Sequence, residues 1–261
     1  MRTTHVGSFP LSYSKENVER VISDLAKVGV DVPPYPQLRD FISIYLNPLI
    51  EAGALLKVGG TYRADLSTLR TLAPPKPKIP EAEIMAEYAR QGKCKFKWIR
   101  APVTGPLTLA SRITLSDSPS GDLTNTLLSK KEVLREAIVP YVRSYVDYFS
   151  SLGYNVIFID EPVLGVMVGG RKVLLGYTED DIREIISELL EGVPWERGVH
   201  VCGRISSRLF KLLVRVEQLD ILNFEFHDTP ENFSSVNREL LKEYGKVLAP
   251  GIASSRSPTI E

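Results

Sequence analysis

The feature that most constrains the fold is a regular alternation of short apolar segments and helical segments along the 261 residues. Seven short apolar runs are typical of β-strands, and each ends in a small, polar or functional residue. These runs cover residues 3–7, 54–58, 96–101, 155–159, 198–201, 220–226 and 246–249. Because parallel strands need a crossover that a helix usually supplies, the alternation predicts βα units and a parallel sheet.

The helical segments between these runs show end signals and helical spacing of apolar residues. Ser129 begins a capping box, and apolar residues recur at helical spacing from there to Gly153, with Pro140 expected to kink the helix. A second helix is expected between Thr178 and Gly192. Further helices are expected near 14–28, 36–52, 80–91, 205–217 and 231–244.

Two architectures contain such alternation, a (β/α)8 barrel and a doubly wound open sheet. The barrel typically takes ~250 residues and gathers its chemistry at the C-terminal ends of many strands, whereas the open sheet often carries a Gly-rich phosphate loop. Here notable residues follow nearly every strand, and no G-x-G-x-x-G or G-x-x-x-x-G-K-[ST] motif occurs. The sequence therefore predicts one catalytic domain over 1–261, a TIM-type barrel with its eighth βα unit lacking or truncated.

Charge and cysteine content narrow the choice of partners. Lys plus Arg equals Asp plus Glu at 32 each, so nothing indicates binding to nucleic acid or to an anionic membrane. No apolar run approaches the ~20 residues of a membrane span, and no signal peptide is found. Cys94 and Cys202 cannot form a disulfide framework. We expect a cytoplasmic protein with a small neutral or zwitterionic substrate.

His200 and Cys202 are separated by one residue at the end of a predicted strand, in a chain with three histidines and two cysteines. Side chains at i and i+2 of a strand point to the same face, as two zinc ligands on a strand would. The alternative is a buried histidine beside a small buried thiol. The next strand places Glu225 among apolar residues, where its carboxylate needs either a metal ion or a basic partner. Nitrogen, sulfur and oxygen ligands together suit zinc.

Two consecutive acids, Asp160 and Glu161, follow the apolar run at 155–159. Acids at such a strand end commonly bind an ammonium group or act as a base, so both are candidate catalytic residues; Asp160 alternatively caps the following turn. Residues 101–108 form a rigid loop rich in proline, which either shapes a pocket or ends a strand. At 4–10, Gly7 permits close approach of a ligand, and backbone N–H groups there could hold a carboxylate.

Taken in order, these segments resemble the catalytic domain of cobalamin-independent methionine synthase, and its short archaeal forms in particular. The resemblance spans nearly the whole chain, and the ordered set is more specific than any one motif. The matching motifs are TTHVGSFP (3–10), PQLRDF (36–41), APVTGPLT (101–108), IDEPVLG (159–165), HVC (200–202), the strand of Glu225 and APGI (249–252).

The resemblance implies a (β/α)8 barrel that uses Zn²⁺ to bind homocysteine and methylate its sulfur, forming methionine. It implies that the zinc ligands are His200, Cys202 and Glu225. It also implies that the amino-acid end of homocysteine is bound by Val6, Gly7, Ser8 and Asp160. The methyl donor is expected to be a methylated folate or, as in short relatives, a methylcorrinoid protein.

The chain departs from the family pattern at three positions. The family's fourth zinc ligand, a cysteine in a segment resembling N-P-D-C-G, has no counterpart before Glu261, so the last βα unit is truncated, absent or supplied by another chain. The acidic motif of the second strand, resembling D-G-E-x-R, is matched to residues 59–63, with Thr61 in place of glutamate. Arg256 stands where longer synthases place a histidine proton donor.

These departures leave two alternatives to a homocysteine methyltransferase. One is an impaired paralogue, or truncated barrel, that binds a ligand or partner without turnover. The other is a member of the wider uroporphyrinogen-decarboxylase-like group of barrels, which includes methyltransferases for other thiols.

Overall fold

A computed structural model describes residues 1–71, 73–116 and 122–254. The described strands are Leu55–Val58 (β1), Thr61–Ala64 (β2), Arg100–Thr104 (β3), Ile113–Thr114 (β4), Val156–Asp160 (β5), Glu196–Val201 (β6), Ile221–Glu225 (β7) and Val247–Gly251 (β8). The described α-helices are Lys15–Val28 (α1), Ser43–Glu51 (α2), Leu66–Thr71 (α3), Pro80–Arg90 (α4), Pro106–Ala110 (α5), Lys131–Val133 (α6), Val139–Leu152 (α7), Leu164–Met167 (α8), Glu179–Leu190 (α9), Ser207–Val214 (α10) and Arg238–Glu243 (α11).

Local sequence signals set the ends of the long helices. The Ser14 hydroxyl accepts a hydrogen bond from the Asn17 N–H at the start of α1, and Gly29 takes the left-handed conformation at its end. A reciprocal capping box between Thr178 and Asp181 begins α9. These two helices are confirmed within one or two residues of their predicted bounds.

A π-helical turn precedes Pro140, where the sequence predicts a kink. Residues Leu134–Ile138 form this turn directly before α7, and Pro140 occupies the first turn of that helix. Proline has no N–H and clashes with the preceding turn, so a local change of helical winding there is the expected response.

Five strands form a parallel sheet in the order β3-β5-β6-β7-β8. Its strands alternate between two environments. Residues such as Ile159, Val199 and Leu222 belong to the main buried cluster, whereas a second, smaller cluster is formed by Val32, Val156, Phe158 and Ile221. The second set lies on the opposite face of the sheet, which therefore has its own small apolar core.

Two irregular segments extend this sheet beyond β3. Residues 32–37 lie beside β3, where the Arg100 N–H donates to the Pro33 carbonyl at 2.9 Å. Residues 4–8 lie beside 32–37, where the Gln37 N–H donates to the Gly7 carbonyl at 2.9 Å. With the five strands these segments form seven neighbouring positions, in the order expected of a barrel, and within the described ranges they do not close into a complete barrel.

The prediction that residues 54–58 form a barrel strand is wrong. They form β1, which pairs antiparallel with β2 in a hairpin whose turn residues, Gly59 and Gly60, both have positive φ. Such a two-residue turn favours a tight hairpin, and β2 then pairs with β4 to give a separate three-stranded sheet. The second barrel position is instead occupied by 32–37, part of which the sequence assigns to a helix.

The main core cluster extends from Val18 to Phe226 and joins the outer faces of the sheet to the surrounding helices. None of the helices in the described part of the chain has the length and apolar character that a membrane span requires.

Candidate active site at the C-terminal ends of the strands

The polar residues at the C-terminal ends of the parallel strands lie in one row across the sheet. In the strand register, Thr104 pairs with Asp160, Asp160 with His200, His200 with Asn223, and Asn223 with Ala249. Parallel strands end at the same edge, so side chains far apart in sequence meet there. Three of the predicted site residues, Asp160, His200 and Glu225, are therefore placed at this edge.

The imidazole of His200 is held in one tautomer by Asn223. The Asn223 amide nitrogen donates to the Ala249 carbonyl at 2.7 Å, so the Asn223 amide oxygen accepts from Nδ1 of His200, also at 2.7 Å. Burial, with the positive charge of Arg100, lowers the pKa of His200 to about 4, so the ring is neutral at pH 7. The lone pair therefore lies on Nε2, the form in which histidine binds a metal ion.

Cys202 and Glu225 are the next residues after the paired Val201 and Phe224, so they are neighbours across the sheet. The Cys202 side chain is exposed, and one carboxylate oxygen of Glu225 accepts a hydrogen bond from the Asp228 N–H at 2.8 Å. Among the described residues, no lysine or arginine forms an ion pair with Glu225.

The donor types and strand positions of His200, Cys202 and Glu225 fit zinc. Their side chains, as placed, do not converge: within residues 1–71, 73–116 and 122–254, no group of three or more His, Cys, Asp or Glu side chains is arranged to hold a metal ion. Holding zinc therefore requires a change in the orientation of at least one of these three side chains.

Asp160 is paired with a buried arginine. The Arg100 Nη2 lies 3.6 Å from the Asp160 Oδ1, and the two side chains are 1% and 17% exposed, respectively. Burial raises the pKa of Asp160 to about 7, against the Arg100 charge, which lowers it. The guanidinium also lies 3.9 Å from the centre of the Phe158 ring. Arg100 was not singled out from the sequence, because no motif marks a long basic side chain that crosses the barrel interior.

Glu161 faces away from the row and anchors a loop. Its Oε1 accepts from the Leu107 N–H at 2.9 Å, and its Oε2 accepts from the Thr108 N–H and hydroxyl at 2.8 and 2.6 Å. Gly105 makes room for this carboxylate, since a Cβ there would lie 2.2 Å from Oε1. The predicted catalytic pair of acids is thus divided: Asp160 faces the site, and the bonds of Glu161 position the loop at 105–108.

The buried carboxylate of Glu161 gives a testable dependence on pH. Burial raises its pKa from 4.5 to about 7, against three hydrogen bonds that lower it. Its contribution to the free energy of unfolding is therefore full below pH 4.5 and is lost as the pH rises through about 7. The stability of the wild type relative to Glu161→Gln should fall by up to about 3 kcal/mol over this range. Urea unfolding at several pH values measures it; a pH-independent difference would contradict the assignment.

The N-terminal segment brings Val6, Gly7 and Ser8 to the same end of the barrel. Gly7 has φ of 117°, and its N–H donates to Nδ1 of His5 at 3.2 Å. The Ser8 hydroxyl lies 3.4 Å from the side-chain oxygen of Gln37, a buried residue. Gln37 thus lies beside the predicted binding segment, within the PQLRDF motif, where the sequence pattern predicts a helix instead of the extended segment that the structure has.

Two of the three departures from the family pattern concern Thr61 and Arg256. The match of residues 59–63 to the second barrel strand is wrong, because Thr61 begins β2 of the hairpin outside the barrel sheet. Arg256 lies outside the described residues.

Comparison with known proteins shows the fold. No protein-family model matches the sequence, and no curated protein sequence matches it. A B12-independent methionine synthase from Shewanella sp. W3-18-1, in complex with selenomethionine, aligns with a TM-score of 0.64 at 16% identity, over 100% of this chain and 82% of that one. A methyltransferase from Methanosarcina mazei aligns with a TM-score of 0.58 at 15% identity, over 90% and 79%.

The chain is therefore an α/β protein that shares its fold with these methyl-transferring enzymes. The resemblance found in the sequence is confirmed at the level of the fold, and the short archaeal type stays a prediction.

Proposed function

We propose that this protein is a zinc-dependent methyltransferase that transfers a methyl group to the thiol of homocysteine to form methionine. The observation that chiefly supports it is the neutral His200, whose Nδ1 is held by Asn223 beside the strand positions of Cys202 and Glu225. Such a hydrogen-bonded histidine is the usual form of a metal-binding histidine. The shared fold with a methionine synthase adds to this support.

In the proposed site, His200, Cys202 and Glu225 would hold Zn²⁺ through nitrogen, sulfur and oxygen. A free thiol has a pKa of ~8.5 and is mostly protonated at neutral pH; bound zinc supplies the charge that keeps the substrate sulfur deprotonated. Methyl transfer forms a carbon–sulfur bond and breaks the carbon–nitrogen bond of a methylated folate, or the carbon–cobalt bond of a methylcorrinoid protein. The electron pair of the broken bond stays with the donor.

The remaining site residues bind and orient the amino-acid end of the substrate. Asp160 is the acid that faces the row of strand ends and is positioned to accept an ammonium group. Val6, Gly7 and Ser8 form the neighbouring edge, where Gly7 lets the backbone approach a ligand. Glu161 keeps the loop at 105–108 in place through its hydrogen bonds to Leu107 and Thr108. Orientation of this kind makes a displacement reaction effectively intramolecular.

A second candidate function is ligand binding without turnover. It is favoured by the arrangement of the described residues, in which no group of three or more His, Cys, Asp or Glu side chains is placed to hold a metal ion. The two candidates differ in one measurable property. Zinc should strengthen homocysteine binding in the enzyme, because the thiol binds the metal, and should leave it unchanged in a protein that only binds the amino-acid end.

The test is methionine formation by the zinc-loaded chain, supplied with homocysteine and either methyltetrahydrofolate or methylcobalamin. Methionine above the non-enzymatic background with one donor supports the proposal and identifies the donor class. A folded, zinc-loaded chain that forms none with either donor, and binds homocysteine equally with and without zinc, would favour the second candidate.

A further inference from the structure

Several buried polar atoms around Asp160 have no hydrogen-bond partner among the described residues. They are His5 Nε2, Arg100 Nε, Arg100 Nη2 and Asp160 Oδ1. Buried donors and acceptors in folded proteins are nearly always paired, because leaving one unpaired costs about 1–3 kcal/mol. A cluster of such atoms beside the candidate active site therefore indicates a place that another molecule fills.

The donors of the cluster can be assigned. Nδ1 of His5 accepts from the Gly7 N–H, so the proton of the neutral ring lies on Nε2, which is a donor. Burial, with the charge of Arg100, lowers the pKa of His5 to about 4 and keeps the ring neutral. Arg100 Nη1 donates to the His5 carbonyl at 3.1 Å, which holds the guanidinium against this segment. The cluster thus offers N–H donors from His5 and Arg100 and one acceptor from Asp160.

The ion pair of Arg100 and Asp160 is open rather than closed. The distance of 3.6 Å between Nη2 and Oδ1 is too long for a hydrogen bond. Both charged groups can therefore still form hydrogen bonds to a ligand. In an α-amino acid the ammonium and carboxylate groups are separated by one carbon. A site that binds both groups therefore needs an anionic and a cationic side chain close to each other. A zwitterion also adds no net charge to a buried site, whereas a ligand with one charge would leave an uncompensated ion there.

We infer that Arg100 and His5 bind the α-carboxylate of the substrate while Asp160 binds its ammonium group, which makes the site selective for α-amino acids. This inference rests on the proposed function for the identity of the substrate, and it assigns carboxylate binding to two side chains in addition to the backbone of residues 6–8. Phe158 supports the arrangement, because its ring lies against the guanidinium and fixes the plane of the N–H groups.

The test uses ligands that need no metal. L-Methionine, 3-(methylthio)propylamine, which lacks the carboxylate, and 4-(methylthio)butanoate, which lacks the ammonium group, are titrated calorimetrically into the chelator-treated chain at pH 8. The wild type should bind methionine about 10- to 100-fold more tightly than either analogue, as expected for a hydrogen bond to a charged group.

Arg100→Gln should weaken methionine binding by that factor and change the binding of the amine, which has no carboxylate, much less, so the discrimination between the two ligands falls. His5→Phe keeps an aromatic ring against Phe9, with which His5 makes an edge-to-face contact at 4.9 Å. It removes the Nε2 donor together with the Nδ1 atom that accepts from the Gly7 N–H. It should lose part of the discrimination, by a few-fold. Because a buried arginine can be needed for folding, His5→Phe and the wild-type ligand series decide the question if Arg100→Gln does not fold.

Equal binding of methionine and the amine by the wild type, or undiminished discrimination in folded Arg100→Gln or His5→Phe, would overturn the inference. The outcome is separable from that of the proposed function. Selectivity that depends on Arg100 can be present in a chain that transfers no methyl group, and methyl transfer can occur in a chain whose discrimination ignores Arg100.

Discussion

Replacing Cys202 with serine is expected to lower zinc affinity and methyl transfer by more than about 100-fold. The loss should exceed the ~10–100-fold typical of a residue that only supports a ligand, because the thiolate itself is removed. Serine keeps the size of the side chain but does not ionise at neutral pH. Zinc affinity is measured by competition with a chromophoric chelator, and methyl transfer by methionine formation from homocysteine.

The matched control is Cys94→Ser, since the chain has two cysteines. Cys94 is buried in the main core cluster, and burial raises the pKa of its thiol, so it is a structural residue. Its serine variant should keep zinc binding and activity, with at most a modest loss of stability. Cys202→Ser with wild-type zinc affinity, in a folded chain, would remove Cys202 from the proposed site.

Gly198→Ala is expected to destabilise the barrel, at the upper end of the ~1–3 kcal/mol typical of overpacking. Gly198 lies opposite Phe158 in the register of β5 and β6, and a Cβ there would lie 2.5, 2.6 and 2.7 Å from three atoms of the Phe158 ring. The ring cannot move away easily, because it is buried and lies against the Arg100 guanidinium. The free energy of unfolding is measured by urea denaturation.

Gly170→Ala provides the control for this variant. Gly170 has no atom within 4 Å of the Cβ position, so alanine there should change stability by no more than ~0.5 kcal/mol. The displaced ring in Gly198→Ala should also weaken methionine binding, since it orients Arg100. Equal stability of Gly198→Ala and the wild type would show that the barrel interior has room that the structure does not indicate.

The regular strands of the sheet could be predicted from the sequence because their signal is local. The apolar runs at 155–159, 198–201 and 220–226 correspond to β5, β6 and β7 within two residues. His200 and Glu225 therefore fell on neighbouring strand ends, as expected. The fold confirms this part of the prediction, while the roles of these residues remain proposals.

The second barrel position could not be predicted, because its segment lacks the pattern of a strand. Residues 32–37 contain prolines at 33, 34 and 36. These prolines remove ladder hydrogen bonds and give the extended segment the composition of a loop. The run at 54–58 has the pattern of a barrel strand although it forms β1 of the hairpin, because a short apolar run does not reveal whether its partner is parallel or antiparallel. The Gly59-Gly60 pair was the signal for a hairpin turn.

The contacts in the interior could not be predicted from the sequence, because they join residues that are far apart in the chain. Arg100 approaches His5 across 95 positions of the chain, and Glu161 anchors the Leu107 N–H across 54. Only the folded register brings these groups together. The sequence marked Glu161 as chemically notable, and the structure supplied the partners that make it a positioning residue.

The central claim is that the substrate sulfur binds a metal ion held by His200, Cys202 and Glu225. Cobalt(II) in place of zinc tests it directly, because thiolate ligands to cobalt give charge-transfer absorption in the near ultraviolet. The account predicts one cobalt ion per chain, a band from Cys202 alone, and a clear rise in that band when homocysteine, but not methionine, is added. A folded chain that binds no cobalt, or whose spectrum does not respond to homocysteine, would contradict it.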